Sequence, residues 1–336
     1  MSILFAGTSL ADFDITGTVS YTNDIGGSPL NFYECLQMRG DGGQGASHRL
    51  AAPVTEIWLQ FGFQQLGWPN ANMDSPWFRV FSSAYSTTQA LFEINCLNAD
   101  LSFRYWDGAA WQTAGTIPQS LFSATERTIF NVHIKMDDTT GVFEIYKERT
   151  LIATMATTDL IRTTATTMDT FKWQSPVVGS SSTTYWTHLW NVFMADEDTR
   201  PMEMMVMYPN TAGALAQWTG TAGNIDDYGY NDADTLSSGT TDFISTFNFA
   251  PFQAKFQAFD IKAVALGGRA QNGVTAPTTM QGIARVSGVN HEKLPEKAMS
   301  TVMGPFNVIW NLNPATSAPW TGTEVQTTQF GFKSAA

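Results

Sequence analysis

Charge is scarce in this 336-residue chain: Asp, Glu, Lys and Arg make up 14% of it, against about 25% in an average soluble protein. Its surface must therefore be built largely from Thr, Ser, Asn, Gln and Gly. Positive charge is scarcer still, with 18 Lys and Arg against 30 Asp and Glu, a net charge of −12, and no basic cluster. A protein that binds DNA or RNA needs such clusters to displace phosphate counterions, so no nucleic-acid partner is expected. Cysteine is nearly absent. Cys35 and Cys96 are too few for a disulfide scaffold, and each sits in an apolar run where a buried free thiol is expected. His48, His133, His188 and His291 are scattered singly, with no His or Cys neighbour at metal-ligand spacing. No apolar run reaches the roughly 18 to 20 residues that span a bilayer, so no membrane insertion is expected. The stretch MSILFAGTSLADF lacks the basic and apolar regions of a secretion signal, which predicts synthesis in the cytoplasm and an opening strand.

Catalytic patterns are missing too. No G-x-S-x-G elbow occurs, and no glycine-rich phosphate loop precedes a helix. GGSP, RGDGGQG and GGRAQNG read as loops between strands, and Arg39–Asp41 is an adhesion tripeptide by letter only. Glycoside hydrolysis needs two carboxylates roughly 5 to 9.5 Å apart, which a sandwich usually supplies from alternate positions of one strand. Glu56, Glu93 and Glu144 each stand alone, and Asp137 and Asp138 lie in a turn. No catalytic residue and no enzymatic activity are expected. One segment is dense in oxygen: Asp226, Asp227, Asp232 and Asp234, with Asn224 and Asn231, could offer ligands to Ca²⁺. It lacks the order of an EF-hand loop, so a solvated loop is expected, with Ca²⁺ the sole alternative to having no cofactor.

What the chain does have is short aromatic and β-branched runs separated by Gly, Asn, Asp, Pro and Ser, with no convincing amphipathic helix. That is the pattern of an all-β sandwich, and the length suits two domains. Strands are predicted at Glu56–Phe63, Trp77–Ser82, Ala90–Cys96, Leu101–Trp106, Thr128–Met136, Val142–Lys147 and Tyr185–Met194. In Thr128–Met136 the alternation puts Ile129, Asn131, His133 and Lys135 on one face and Thr128, Phe130, Val132, Ile134 and Met136 on the buried one. MDDTTG supplies the turn into VFEIYK, and KER turns the chain again into LIAT, making an antiparallel meander. In Tyr185–Met194 the same rule groups Trp186, His188, Trp190 and Val192. A boundary is predicted at Ala195–Pro201, where four charged residues precede a proline, giving domains 1–197 and 202–336. Later strands are predicted at Asp242–Phe249, Phe256–Ala265, Gly282–Val286 and Val302–Trp310. The methionine-rich Met202–Met207 reads as a core or subunit-contact strand.

Exposed tryptophan faces stack on sugar rings. Core packing accounts for Trp58, Trp106, Trp186 and Trp190 on their alternating strands. Trp68, Trp77 and Trp111 remain as candidates for carbohydrate or partner contact, although DGAAWQ reads as a hairpin turn whose Trp111 packs back across the pair.

Two resemblances join this reading. EIWLQFGF, FNVHIKMDDTTGVFEIYKERTLIAT and YWTHLWNVFMAD resemble the concanavalin A-like or laminin-G-like jelly-roll family over residues 1–197, a fold that hosts lectins, adhesion modules, glycosidases and structural spacers. Over residues 205–333 the chain resembles a β-sandwich domain of bacteriophage virion proteins. The matching positions are Trp218; Asp232, Asp234 and Thr235; Ile261, Ala263, Val264, Arg269 and Ala270; and Asn313, Pro314, Thr316, Trp320, Thr321, Glu324, Val325, Phe330 and Gly331. The PFNVIWNL strand departs from that pattern in having an apolar lead-in. The expectation is an all-β protein of two tandem β-sandwich domains, the first a jelly roll. The second resemblance implies a non-enzymatic structural component of a phage particle, a tail or capsid-surface decoration or fibre protein located in the virion. Its expected partners are other virion proteins and copies of itself, as a homo-oligomer, trimeric if fibre-like. The alternative is a lectin-like tail adhesin that binds a host-surface glycan through the aromatics of the first domain.

Overall fold

The computed structural model describes residues 2–7, 12–17, 19–22, 35–39, 44–66, 74–97, 100–117, 128–155, 159–161, 163–175, 186–226, 232–251, 259–273 and 277–336. The chain divides into two compact units, Leu4–Glu203 and Met204–Ala336, the second also taking in Ser2 and Ile3. Both are β-sandwiches, and the first is a jelly roll.

The first unit is built from β1 (Ile3–Gly7), β2 (Asp14–Thr16), β3 (Ser20–Thr22), β4 (Cys35–Arg39), β5 (Gly45–Val54), β6 (Glu56–Leu66), β7 (Asp74–Phe81), β8 (Phe92–Leu97), β9 (Asp100–Trp106), β10 (Trp111–Ile117), β11 (Thr128–Lys135), β12 (Val142–Lys147), β13 (Thr150–Thr154), β14 (Met168–Gln174) and β15 (Trp186–Ala195). One sheet runs β13-β12-β11-β6-β15-β4-β3, with β1 also on β15. The other runs β10-β9-β8-β7-β14-β5-β2. Period-2 patterning feeds the space between them: Ile57, Leu59, Phe61 and Phe63 from β6 meet Phe78, Phe92, Ile94, Phe103, Phe171 and Trp173 from the facing sheet. Each such side chain stabilises the fold by about 1.5–3 kcal/mol when fully buried. Phe130, Val132, Ile134 and Met136 lie in this core, on the face that alternation assigned to them. The MDDTTG turn forms around Asp137, whose carboxylate accepts from the Thr139 and Thr140 amides at 2.9 and 2.7 Å.

Alternation fails in β7, where Trp77 and Phe78 both enter the core across a register shift, and again in β15. Asn191 sits at φ 47° and the pairing with β6 shifts register between Trp190 and Phe193. This bulge sends Val192 into the core with Leu189 and Met194, while Trp190 stays on the outer face with Cys35 and Ile129. The predicted grouping of Trp190 with Val192 is therefore corrected. Trp190 lies over Gly62, where a Cβ would stand 2.1 Å from the indole, so only glycine fits.

The second unit holds β16 (Pro209–Ala216), β17 (Ile244–Phe249), β18 (Val264–Ala270), β19 (Thr279–Val286), β20 (Val289–Glu292), β21 (Lys297–Ala298), β22 (Gly304–Trp310), a short helix α1 (Gly322–Thr327) and β23 (Gln329–Ala335). Its larger sheet runs β16-β17-β23-β19-β20, with β21 on β19, and β18 pairs with β22. Leu266, Ala284, Trp310, Trp320, Val325 and Phe330 form its core. Two expectations change here. The strand predicted over Phe256–Ala265 begins at Val264 among the described residues, with Phe259 49% exposed. Met202–Met207 forms no strand and is half-exposed. Among the described residues no helix is long and apolar enough to cross a membrane.

Candidate functional site

Outward-facing residues of the seven-stranded sheet carry most of its chemistry. In β9 the alternation turns Leu101 and Phe103 inward and Ser102, Arg104 and Trp106 outward. Cross-strand register then lines up Thr113, Arg104, Glu93, Arg79, Lys172 and Ser47 on β10, β9, β8, β7, β14 and β5. Glu93 is completely buried. One carboxylate oxygen accepts from Arg79 Nε at 3.1 Å, and the other accepts from Arg104 Nε at 2.8 Å and from Asn95 Nδ2 at 3.1 Å. Two guanidinium groups and an amide thus meet the desolvation cost of this carboxylate. Lys172 has no counter-ion among the described residues. Burial, and then the neighbouring charge of Arg79, push its ammonium below the usual lysine range.

Beside this row lies an aromatic pair. Trp111 and Trp106 are direct cross-strand partners that meet edge to face at 5.7 Å. Arg104 lies over the Trp111 ring at 5.6 Å, and Trp106 Nε1 donates to the Tyr85 hydroxyl at 3.1 Å. The hairpin between them is tied by Asp107, whose carboxylate accepts from the Ala109 and Ala110 amides at 2.8 Å. Those bonds hold the Asp107 carboxyl below its ordinary value, the Ala110 amide foremost. Trp106 was expected in the core. It lies half-buried on the outer face instead, because Leu101 and Phe103 fix the inward phase of β9. Trp77, a candidate for surface contact, is 4% exposed and packs at 4.8 Å against Phe63 inside the sandwich, so its ring is closed to a ligand. Trp68 lies outside the described residues. Trp111 alone of the three named tryptophans is seen on a surface.

The outer face of the eight-stranded sheet carries similar residue types in a different condition. Trp58 stacks on His133 at 4.0 Å, and His133 Nε2 lies 2.8 Å from Glu56. Tyr146 donates to Glu144 at 2.7 Å; burial and that bond push its phenol up to about 12. The chain that follows β15 covers this cluster. Arg200 lies over both Trp58 and Tyr146, at 5.0 and 4.4 Å, and pairs with Asp198 through Nε and a terminal nitrogen. Thr199 donates to Asn131 at 3.1 Å, both buried. The stretch Ala195–Pro201, predicted as a boundary, is thus bound to the first sandwich; Trp58 is buried by it rather than by the core.

In the second unit the oxygen-dense loop is already committed. Asp232 forms two hydrogen bonds with Arg269, at 2.9 and 3.1 Å, and Asp234 accepts from Asn224. Asp226 is half-buried, and Asp227 lies outside the described residues. Among the described residues no three His, Cys, Asp or Glu side chains are grouped to hold a metal. The Trp–Thr–Gly–Thr–Glu segment is a capping box that the sequence displays as T-x-x-E. Thr321 accepts from the Glu324 amide at 3.2 Å, and Glu324 accepts from the Thr321 amide at 2.8 Å, which holds the Glu324 carboxyl below its ordinary value.

No family model matches the chain, and no curated protein matches it. Among solved structures it is similar to the cellulose induced protein Cip1, with 13% identity over 55% of this chain and 92% of that one and a TM-score of 0.43. A botulinum neurotoxin serotype C1 binding domain gives 8% identity over 84% and 69%, at 0.41. Alginate lyase Aly36B gives 12% over 49% and 81%, at 0.36. With TM-scores below 0.5 these likenesses carry no argument about chemistry, and the fold rests on the strand order described above.

Proposed function

We propose that the chain is a non-enzymatic structural component of a bacteriophage particle, a tail or capsid-surface protein that assembles with copies of itself and with other virion proteins. The observation that carries this reading is how the residues of the virion-domain resemblance are used. Trp218 Nε1 donates to the Phe243 carbonyl at 2.9 Å, and Trp320 Nε1 donates to the Trp310 carbonyl at 3.1 Å. Ile261 bridges to Trp320, Arg269 holds Asp232, and Asn313 donates to Glu324 at 2.9 Å. These groups are spent on framework, and a low-charge surface lowers the cost of desolvation when copies pack together. The expected result is an oligomeric mass in solution by light scattering, and high, symmetric copy number in purified particles by quantitative mass spectrometry. A tight monomer absent from particles overturns the proposal.

A second reading, glycan recognition by the first sandwich, is favoured by one observation: Trp106 and Trp111 stand half-buried on an outer face beside hydrogen-bonding side chains. Such a face suits a pyranose ring, whose apolar side stacks while its hydroxyls are bonded. It is compatible with the structural role, since a particle protein can also contact a host surface.

A further inference from the structure

The outer face of the seven-stranded sheet collects positive charge in a chain of net charge −12. Arg104, Arg79 and Lys172 stand on β9, β7 and β14, and Glu93 is the sole carboxylate among them in the row; Asp14 comes two strands beyond Lys172. Glu93 engages both arginines, which leaves Lys172 beside Arg79 with no anion among the described residues. An unpaired, half-buried cation next to a like charge is unfavourable unless something compensates it.

Two further groups on this face lack partners. Asn95 and Ser102 are direct neighbours across β8 and β9, with residues 0% and 1% exposed. Asn95 Nδ2 is fixed on Glu93, yet its Oδ1 and the Ser102 hydroxyl have no hydrogen-bond partner. Buried polar atoms are satisfied in the great majority of cases, and an exception calls for an explanation such as strain or an ordered water. Those two atoms are closed to a ligand, as Trp77 is, so what this face offers is the half-buried Lys172 cation at one end and the aromatic surface of Trp106 and Trp111 at the other.

Building on the glycan reading above, we infer that this face binds a carboxylate-bearing oligosaccharide, its acid group on Lys172 beside Arg79 and a ring on the Trp106–Trp111 pair. The span sets the size. Lys172 on β14 and Trp111 on β10 are four strand spacings apart, about 19 Å at about 4.8 Å each, which calls for a short oligomer rather than one sugar. Nucleic acid would also supply anions, but it demands a run of phosphate contacts that one unpaired lysine does not provide.

The experiment is titration calorimetry of the full chain with tetrasaccharides of galacturonate, glucuronate and sialate, each beside a neutral or methyl-esterified counterpart. Binding of at least one acid is expected, weakened by salt, and roughly tenfold to hundredfold weaker for Lys172→Met, the cost of one charge-assisted hydrogen bond. Lys172→Arg should restore most of it. Trp111→Ala should weaken acid and neutral forms alike, and Trp111→Phe provides a milder variant if alanine impairs folding. Equal binding of acidic and neutral forms, unchanged by Lys172→Met, overturns this inference and leaves the glycan reading standing. No binding to any of them overturns both. Lys172-dependent binding of a single-stranded oligonucleotide, with none to the sugars, assigns the face to another ligand and overturns the inference too.

Discussion

The two outer faces of the first sandwich use nearly the same residue types, Trp, Arg, Glu and Tyr, and differ in what completes them. On the eight-stranded sheet the chain itself does so. Asp198, Thr199 and Arg200 return over Trp58, Tyr146 and Asn131, and the charges there are paired. On the seven-stranded sheet Glu93 is satisfied, whereas Lys172, Asn95 Oδ1 and the Ser102 hydroxyl have no counter-ion or hydrogen-bond partner among the described residues. Residue composition does not separate these two faces; what differs is how far each is satisfied by the chain.

Mutation should separate the two faces. The largest effect is expected at Glu93, whose buried carboxylate is engaged by both arginines. Glu93→Gln strips the counter-charge from Arg79 and Arg104 and should cost about 3 kcal/mol or more in urea unfolding; a loss under about 1 kcal/mol would mean that solvent already screens these arginines. On the closed face, Arg200→Met should cost about 2 kcal/mol, because it removes a cation from two aromatic faces along with the Asp198 bond. A cost that vanishes in high salt would reduce that contact to a surface ion pair.

Alkaline unfolding gives a smaller, signed test. The folded phenol of Tyr146 is raised to about 12 from an ordinary value of 10, so above pH 10 the native state holds a proton that the unfolded chain releases. Stability should therefore fall between about pH 10 and 12, and this slope should be reduced in Tyr146→Phe. The smallest effect is expected at Lys172. If its charge serves a ligand rather than the fold, Lys172→Met should leave the free protein's stability within about 0.5 kcal/mol. A large destabilisation would move Lys172 to the structural side of the comparison.

Much of the architecture was legible because it is local. The alternation of Phe130, Val132 and Ile134, and the Asp137 turn after them, are written within a dozen residues. The face was not legible, because its parts come from separate strands. Glu93 looked solitary on its own strand, while its partners Arg79 and Arg104 lie 14 and 11 positions away and meet it only through register. Trp106 was assigned to the core as part of an alternating strand, when the phase set by Leu101 and Phe103 places it outside. Trp58 failed in the same way: Ile57, Leu59 and Phe61 fill the core, and Trp58 must face out. The bulge at Asn191 has no local signal strong enough to predict, since asparagine in the left-handed region is one of several ways to break a ladder. The capping box at Thr321 and Glu324 could have been found, and with it the short helix.

The docking of Thr199 and Arg200 also bears on mechanics. Between Thr199 and Met202 the chain holds Asn131 on β11, Trp58 and Gln60 on β6, and Tyr146 on β12. A pull applied downstream of Glu203 would consequently be shared by three adjacent strands at once, instead of unzipping β15 from its end. That makes the segment a strain-relief joint placed where the polypeptide leaves its first sandwich.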